Sequence, residues 1–377
     1  MKWNRRPTRV IVLGIIFAGI LSSLAGCAPS QEKIKAGFYS YPKMLTEVTD
    51  LAARYPQLLT VFEQGRTYEG RTIIILAIGP KDGAAGKPEI MAVFAQHSGE
   101  HATTNVAMGF VNQLLSNYGK DEEITRILNE KRIYIVPMAN PDGVEYSMTN
   151  EKIFYQWRKN RKPVGLDSFG PDPERFGVDL NRNWGYQWDA PVGDELASHV
   201  SSPNNQYFHG EKPFSELETI ALRDFIVGHK NIKLFVDYHA GESNYMQGDI
   251  IIPFCYTDDR EVNRLEMARY EEFRDMFART ISDPADHRTP FTALNAYQVR
   301  EFVLKNTPLL LKPFVRYMLP ASTLAPGSAI DWAANQGIFA LGVEILSKDN
   351  FAAKMPHSQE RLTKKQFEGF LFLLQTL

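Results

Sequence analysis

The chain has 377 residues, of which 44% are hydrophobic and 23% are charged, and its formal net charge is −2. This length and balance supply ample apolar material for a large folded core. The near-neutral charge, without a basic patch interleaved with aromatic residues, argues against a nucleic-acid partner.

Residues 1–26 have the pattern of an export signal. Residues 1–9 include four Lys or Arg side chains, and the apolar stretch 10–21 that follows is too short for a comfortable membrane-spanning helix. The segment ends in Leu-Ala-Gly-Cys, which resembles the lipobox of bacterial lipoproteins with Cys27 as the lipidated residue. We therefore predict a protein of the bacterial cell envelope, anchored to a membrane through a lipid on Cys27 and facing the periplasm or the exterior. An ordinary secretory signal, in which Cys27 has no role, is the alternative.

Beyond residue 38, short apolar runs alternate with stretches of helical periodicity. The apolar runs predict strands at 72–78, 90–95, 133–137, 232–238 and 340–344. Helical spacing predicts helices at 42–54, 106–115, 122–128, 260–281 and 364–374, and Ser215 with Glu218 predicts a capping box that opens a further helix. The alternation predicts an α/β fold in which a mixed sheet has helices on both faces.

A long segment, 148–206, departs from this pattern. It is rich in Pro, Gly, Asn and Asp and has little periodicity. A loop of that length inside a folded domain is usually functional. We therefore expect it to contribute to a binding or catalytic site.

Three candidate metal ligands stand at the carboxyl ends of predicted strands. His97 and Glu100 lie where one strand passes into a helix, and His239 directly follows another strand. This edge is where α/β folds place their chemistry. Two imidazoles and one carboxylate, with a position left for water, form the ligand set of a hydrolytic Zn2+ site rather than a structural one. His101, which is next to Glu100, is the rival ligand.

Further motifs follow in an order that resembles the zinc metallocarboxypeptidases of the M14 family, the carboxypeptidase A-like enzymes. The resemblance runs from about residue 39 to the C-terminus and implies one zinc carboxypeptidase-like domain, 39–377, after a short tether, 27–38. The segments that carry it are His97-x-x-Glu100, Trp157-Arg158-Lys159, 177–184 (Gly-Val-Asp-Leu-Asn-Arg-Asn-Trp), His239, 327–332 (Gly-Ser-Ala-Ile-Asp-Trp), 335–338 (Asn-Gln-Gly-Ile) and Glu344.

The resemblance also implies the catalytic parts. One Zn2+ per chain would be held by His97, Glu100 and His239. Glu344, in an otherwise apolar strand, would be the general base that takes a proton from water and passes it to the leaving amine. Arg158 would supply positive charge to the oxygen that becomes negative during hydrolysis.

Substrate recognition is implied in the same way. Arg182, in bidentate fashion, and Asn181 would bind the free C-terminal carboxylate of a peptide. Asp179 would hold a ligand histidine in the right tautomer, or would serve only as a turn residue. The family also has a mobile tyrosine a few residues before the Gly-Ser segment, but Thr323 occupies that offset here. Tyr317 is the nearest tyrosine, and it either closes over the substrate or is an ordinary aromatic residue.

Three functions remain compatible with the sequence. The first is a zinc carboxypeptidase that acts on protein-derived peptides. The second is a related envelope amidase or peptidase that trims the stem peptides of peptidoglycan with the same zinc and carboxylate groups. The third is a surface lipoprotein that binds peptides or glycans without catalysis, although the ligands and Glu344 are all present.

Overall fold

The described part of the chain carries nearly all of the predicted site. The computed structural model describes residues 37–83, 85–149, 152–164, 177–190, 200–240, 249–253, 264–281, 292–294, 308, 326–345 and 356–376. Cys27 and Tyr317 lie outside the described residues. The described elements belong to one compact unit, Phe38–Leu377. Within the described residues, no helix combines the length and apolar character needed to cross a bilayer.

The described strands form one mixed sheet. They are β1 (Leu59–Arg66), β2 (Thr72–Ile78), β3 (Glu89–Phe94), β4 (Arg132–Val136), β5 (Ile232–His239), β6 (Asp249–Ile251), β7 (Thr292–Leu294) and β8 (Phe339–Glu344). Their order in the sheet is β1-β2-β4-β3-β5-β8-β6-β7. The central strands β4, β3, β5 and β8 are parallel, whereas β2 and β6 join them in antiparallel fashion. The mixed sheet expected from the sequence is confirmed.

Helices cover both faces of this sheet. The described helices are α1 (Tyr41–Arg54), α2 (Ala102–Asn117), α3 (Glu122–Glu130), α4 (Pro141–Thr149), α5 (Leu217–Gly228), α6 (Arg264–Ile281), α7 (Ala329–Asn335) and α8 (Pro356–Gln375). On one face, Phe235 of β5 shares a buried cluster with Phe225 of α5 and Trp332 of α7. On the other face, Phe110 of α2 packs edge-on against Phe94 of β3, and α8 packs on α2. Cover on both faces explains why the central strands are near-continuous apolar runs.

Five of the described elements were not predicted from the sequence: β1, β6, β7, α4 and α7. β1 is an edge strand whose residues are mostly half-exposed, so its apolar signal is weak. α4 begins where the backbone N–H of Gly143 donates to the Asn140 side chain, with Pro141 as the first helical residue. An Asn cap followed by Pro at the first helical position is a signal from which this helix could have been predicted.

The predicted capping box is wrong. α5 does begin in this region, but its N-cap residue is Glu216, and that side chain makes no capping hydrogen bond. The hydroxyl of Ser215 instead donates to Glu216 Oε1 and accepts from Asn183 Nδ2. A capping box was predicted from spacing alone, and these tertiary partners replace it.

Candidate active site

The predicted catalytic residues meet at the carboxyl edge of the sheet. His97 and Glu100 follow β3, while His239 and Glu344 are the last residues of β5 and β8. These three strands are neighbours and run parallel, so their carboxyl ends lie side by side. His239 and Glu344 are register partners, and the backbone N–H of Ile345 donates to the carbonyl of His239 at 2.7 Å. Their side chains therefore emerge on the same face of the sheet.

The turn that delivers His97 is strained. Ala95, just after β3, has a φ of 54°, in the left-handed region that a residue with a Cβ rarely adopts. Backbone hydrogen bonds on both sides hold it there, because Ala139 donates to Phe94 and Asn140 donates to Ala95. Such strain is typical of functional turns.

Gly99 lets a second chain segment approach this turn. A Cβ at Gly99 would lie 2.9 Å from the carbonyl of Tyr155 and 3.0 Å from the carbonyl oxygen of Trp157. No larger residue fits without a backbone shift. The hydroxyl of Ser98 also donates to the Trp157 carbonyl, at 2.9 Å. The Ser-Gly pair between the two ligands thus packs the segment that carries Arg158 against the ligand turn.

The three predicted ligands converge tightly. His97 Nδ1, His239 Nδ1 and the Glu100 carboxylate lie within 4.8 Å of one another. The two imidazole nitrogens are 3.1 Å apart, and the Glu100 oxygens lie 2.8 Å from His97 Nδ1 and 3.2 Å from His239 Nδ1. Ligands about 2 Å from a tetrahedral Zn2+ would be about 3.3 Å apart, so the donor set fits this ion. The backbone N–H of Ala240 donates to Glu100 Oε2 and orients the carboxylate.

The electrostatics of the three groups also suit a cation. Burial would raise the pKa of Glu100, but His97 and His239 hold it well below its usual range. Burial would lower the pKa of His239, but the carboxylates of Asp237 and Glu100 raise it well above its usual value. The surrounding carboxylates therefore favour positive charge at the point where the ligands converge.

Asp179 hydrogen-bonds the His97 ring nitrogen that faces away from the other ligands, Nε2. Support of a ligand histidine was one of the two roles predicted for Asp179 from the sequence. His97 Nε2 lies 3.1 Å from Asp179 Oδ1, so this nitrogen donates and Nδ1 keeps its lone pair for the metal. Asp179 also caps a 3-10 turn, Leu180–Arg182, by accepting from the backbone N–H of Asn181. It is therefore both a turn residue and a support of the ligand.

Asp237 supports His239 in the same manner and was missed from the sequence. Asp237 Oδ2 accepts from His239 Nε2 and from Gln96 Nε2, each at 2.7 Å. The other end of Gln96 accepts from the indole N–H of Trp184 at 3.2 Å. All of these side chains are buried. A charged residue two positions before a ligand, inside an apolar strand, is the signal that could have identified it.

Arg158 lies beside the metal ligands and is held by Asp179. Its Nε donates to Asp179 Oδ2 at 2.7 Å, while the side chain as a whole stays one-fifth exposed. Burial opposes its charge, but Asp179, Glu100 and Tyr207 raise its pKa. Arg158 and His97 in turn keep the pKa of Asp179 far below its usual range, against the opposing effect of burial. A permanent positive charge therefore faces the site.

Asn181 and Arg182 follow directly on the turn capped by Asp179. Asn181 Oδ1 accepts from the backbone N–H of Ala329, and its amide nitrogen lies 3.1 Å from His239 Nε2. Arg182 is almost fully buried, and its Nη1 donates to the Asn181 carbonyl. Both predicted carboxylate-binding residues are thus near the ligands. Tyr207, which faces Arg158 and Arg182, was not singled out from the sequence.

The rival ligand is turned away from the site. His101 Nε2 lies 2.8 Å from the carbonyl oxygen of Phe154 and 3.2 Å from the hydroxyl of Ser147. Its ring stacks on Phe154 with centroids 4.1 Å apart. His101 is therefore a buried residue that packs against Phe154, and it is not a metal ligand.

Comparison with known proteins agrees with this site. The bovine carboxypeptidase A1 is 28% identical over 85% of this chain and 66% of its own length. The metallocarboxypeptidase A of Trichophyton rubrum is 32% identical over 71% of this chain and 58% of its own length. The chain thus spans less than two thirds of the length of these two relatives.

A solved structure shares the fold. Bovine thrombin-activatable fibrinolysis inhibitor, in complex with a tick carboxypeptidase inhibitor, superposes with a TM-score of 0.68 at 20% identity, over 90% of this chain and 97% of that one. The family model described as zinc carboxypeptidase matches residues 44–367, a span that includes all three ligands and Glu344. With the donor set and the fold in agreement, the chain belongs to the zinc carboxypeptidase family, peptidase M14.

Proposed function

We propose that the chain is a metallocarboxypeptidase that hydrolyses the last peptide bond of peptides with a free C-terminal carboxylate. The observation that supports this most is the position of Glu344, which is the register partner of His239 at the edge where the ligands converge. A carboxylate at this edge, beside the metal ligands, can accept a proton from an attacking water molecule, a step that peptide binding alone does not require.

In the proposed reaction, separate residues bind the metal, transfer the proton and stabilise the developing negative charge. When bound by His97, Glu100 and His239, Zn2+ supplies a Lewis acid that polarises the scissile carbonyl and lowers the pKa of a water molecule. Glu344 accepts the proton of the attacking water and passes it to the leaving amine nitrogen. Arg158, fixed by Asp179, stabilises the negative charge that develops on the carbonyl oxygen.

Recognition of the substrate end is assigned to Asn181 and Arg182. A guanidinium binds a carboxylate through two parallel hydrogen bonds, which fixes orientation as well as position. Arg182 is buried, so its charge is poorly screened by water and favours an anionic partner. This arrangement supports removal of single C-terminal residues.

The catalytic assignment can be tested with Glu344→Gln. Glutamine keeps the shape but cannot accept a proton, so we expect turnover to fall by about 100-fold or more while zinc stays bound. Glu63→Gln, an exposed glutamate on the distant edge strand β1, is the matched control and should retain activity. Near-normal turnover of Glu344→Gln in zinc-loaded protein would remove Glu344 from its role.

The substrate class can be tested with peptides that end in a free acid or in an amide. We expect cleavage of single residues from the acids and little reaction with the amides, since an amide end loses the charge-assisted bonds to Arg182. Equal rates for both, with internal cleavage, would contradict an exopeptidase. Stem peptides of peptidoglycan belong in the same panel, and a strong preference for them would favour the envelope amidase or peptidase over the enzyme of protein-derived peptides.

We further propose that residues 1–26 are an export signal and that Cys27 anchors the protein, residues 39–377 forming the catalytic domain, to a membrane of the bacterial cell envelope. The lipobox-like segment before Cys27 supports this. Cys27→Ala should leave the protein unprocessed or release it from the membrane fraction, whereas a change of the other of the two cysteines, Cys255→Ala, should not. Unchanged fractionation and a normal mature mass for Cys27→Ala would contradict the anchor.

A further inference from the structure

Tyr207 is a half-buried residue that touches both arginines of the proposed mechanism. The centroid of its ring lies 5.2 Å from Arg158 Cζ and 5.9 Å from Arg182 Cζ. An aromatic face within about 6 Å of a guanidinium attracts the cation. One ring therefore stands next to the charge proposed for the scissile carbonyl oxygen and the charge proposed for the terminal carboxylate.

The backbone around Tyr207 is tied to the same turn that carries the site. The N–H of Asp179 donates to the carbonyl of Phe208 at 2.8 Å, and the N–H of Tyr207 donates to Asn205 Oδ1 at 2.9 Å. The side chain of Phe208 is buried in a small cluster with Val178. These contacts fix the backbone that carries Tyr207 relative to the turn at Asp179, and the ring reaches the two arginines from there.

This inference rests on the proposed function, which defines the part of the substrate that lies between the two arginines. In that function Arg158 stabilises the scissile carbonyl oxygen and Arg182 binds the terminal carboxylate. Only the backbone of the terminal residue separates these two groups of a peptide. A side chain that touches both guanidiniums is therefore beside that residue.

We infer that Tyr207 is a substrate-binding residue, with its ring packed beside the terminal residue and its hydroxyl donating to the terminal carboxylate. A phenol suits this place because it combines an apolar ring with a hydrogen-bond donor at its tip. The hydroxyl adds a neutral donor to the charged donors of Arg182 without adding charge. The role is in binding and positioning rather than in proton transfer.

The test compares Tyr207→Phe and Tyr207→Ala with the wild-type enzyme on an N-acylated dipeptide with a free carboxylate. Loss of one hydrogen bond should raise KM about 3- to 10-fold in Tyr207→Phe with little change in kcat. Tyr207→Ala should raise KM at least as much. Zinc content and melting temperature should match those of the wild type in both variants.

Tyr118→Phe is the matched control. The Tyr118 hydroxyl also donates a hydrogen bond, to Asn129 Oδ1 at 2.8 Å. It follows the end of the 16-residue helix α2, about 24 Å from the end that adjoins the site. This variant should leave KM and kcat unchanged.

Three outcomes would overturn the inference. The first is an unchanged KM in Tyr207→Phe. The second is a fall in kcat with KM unchanged. The third is a loss of zinc or of thermal stability that accounts for the loss of activity, which would indicate a structural role.

Failure of the proposed function would look different, because the wild-type protein itself would not cleave the dipeptide. Calorimetric binding of N-acetylphenylalanine, compared with its amide, then decides the role of Tyr207 separately. Binding of the acid that is about 3- to 10-fold weaker in Tyr207→Phe would support the inference. Equal binding by variant and wild type would overturn it.

Discussion

Asp179 and Asp237 each bind the outer nitrogen of a ligand histidine, but they lie in different regions of the molecule. Asp237 belongs to strand β5, and its second partner is the neutral side chain of Gln96. Asp179 lies in a loop turn, and its other partners are the guanidinium of Arg158 and the backbone of Asn181. Both carboxylates are fully buried.

This difference separates two tasks. Among the described residues, the hydrogen bonds of Asp237 go to the ligand His239 and, through Gln96, to Trp184 in the core, so we expect this carboxylate to act mainly on the metal site. Asp179 joins His97 to residues proposed to bind the substrate. A change at Asp179 should therefore disturb metal binding and substrate chemistry together, whereas a change at Asp237 should disturb only the metal.

The largest effect is expected for Asp179→Asn. The asparagine amide nitrogen would face Arg158 Nε, so two hydrogen-bond donors would oppose each other. The buried ion pair between Asp179 and Arg158 would also be lost, and breaking such a pair typically costs about 3–5 kcal/mol of stability. Zinc affinity should fall about 10- to 100-fold. Activity should stay low even when zinc is added to saturation, as measured by metal titration followed by kinetics. Full recovery of activity at saturating zinc would show that Asp179 does not link the two tasks.

A smaller effect is expected for Asp237→Asn. The asparagine oxygen can still accept from His239 and Gln96, but the negative charge that strengthens the imidazole as a ligand is gone. Zinc affinity, measured by competition with a chelator, should fall about 10-fold. At saturating zinc the kinetic constants should return to those of the wild type. A persistent loss of kcat would extend the influence of Asp237 to the chemistry itself.

Glu218 is expected to have the smallest effect on activity, and it sharpens the comparison because its carboxylate is buried and hydrogen-bonds to no cation or histidine among the described residues. Asn160 Nδ2 donates to it at 3.1 Å. Burial, with smaller effects from Glu216 and Asp142, raises its pKa to about 8. Between its usual pKa and about 8 the folded state holds a proton that the unfolded state has released, so stability should decrease as pH rises through this window.

Glu218→Gln should remove that dependence. The variant should be more stable than the wild type at pH 8, and the difference should shrink by roughly 1 kcal/mol per pH unit as the pH is lowered toward 5. Denaturant unfolding at several pH values measures it. Glu122→Gln, at an exposed position in α3, is the control and should leave the pH profile unchanged. A difference between Glu218→Gln and wild type that is the same at every pH would contradict the assignment.

Local patterns explain what was predicted correctly. His97, Glu100 and His239 were found because they closely follow short apolar runs, and a short apolar run with turn residues beside it is typical of a buried strand. The mixed sheet followed from the same alternation. The prediction of a capping box at Ser215 was wrong because the Ser215 hydroxyl accepts a hydrogen bond from Asn183, which is 32 residues away, instead of from a backbone N–H of the helix.

The residues that support the metal ligands could not be predicted from local patterns. Gln96 and Asp237 are 141 positions apart, and no residue near either of them in sequence indicates the hydrogen bond between them. Tyr207 lies in a stretch without periodicity, and its place beside Arg158 depends on backbone hydrogen bonds to the turn at Asp179.

The residue order was therefore enough to identify most of the strands and helices, the three ligands and the family resemblance, since all of these rest on spacing within short segments. The partners of buried polar groups were decided only when distant segments packed together. A buried carboxylate, amide or hydroxyl must satisfy its hydrogen bonds with whatever the fold places beside it. Those choices determine which histidine is supported by the core and which is tied to the loop proposed to bind the substrate.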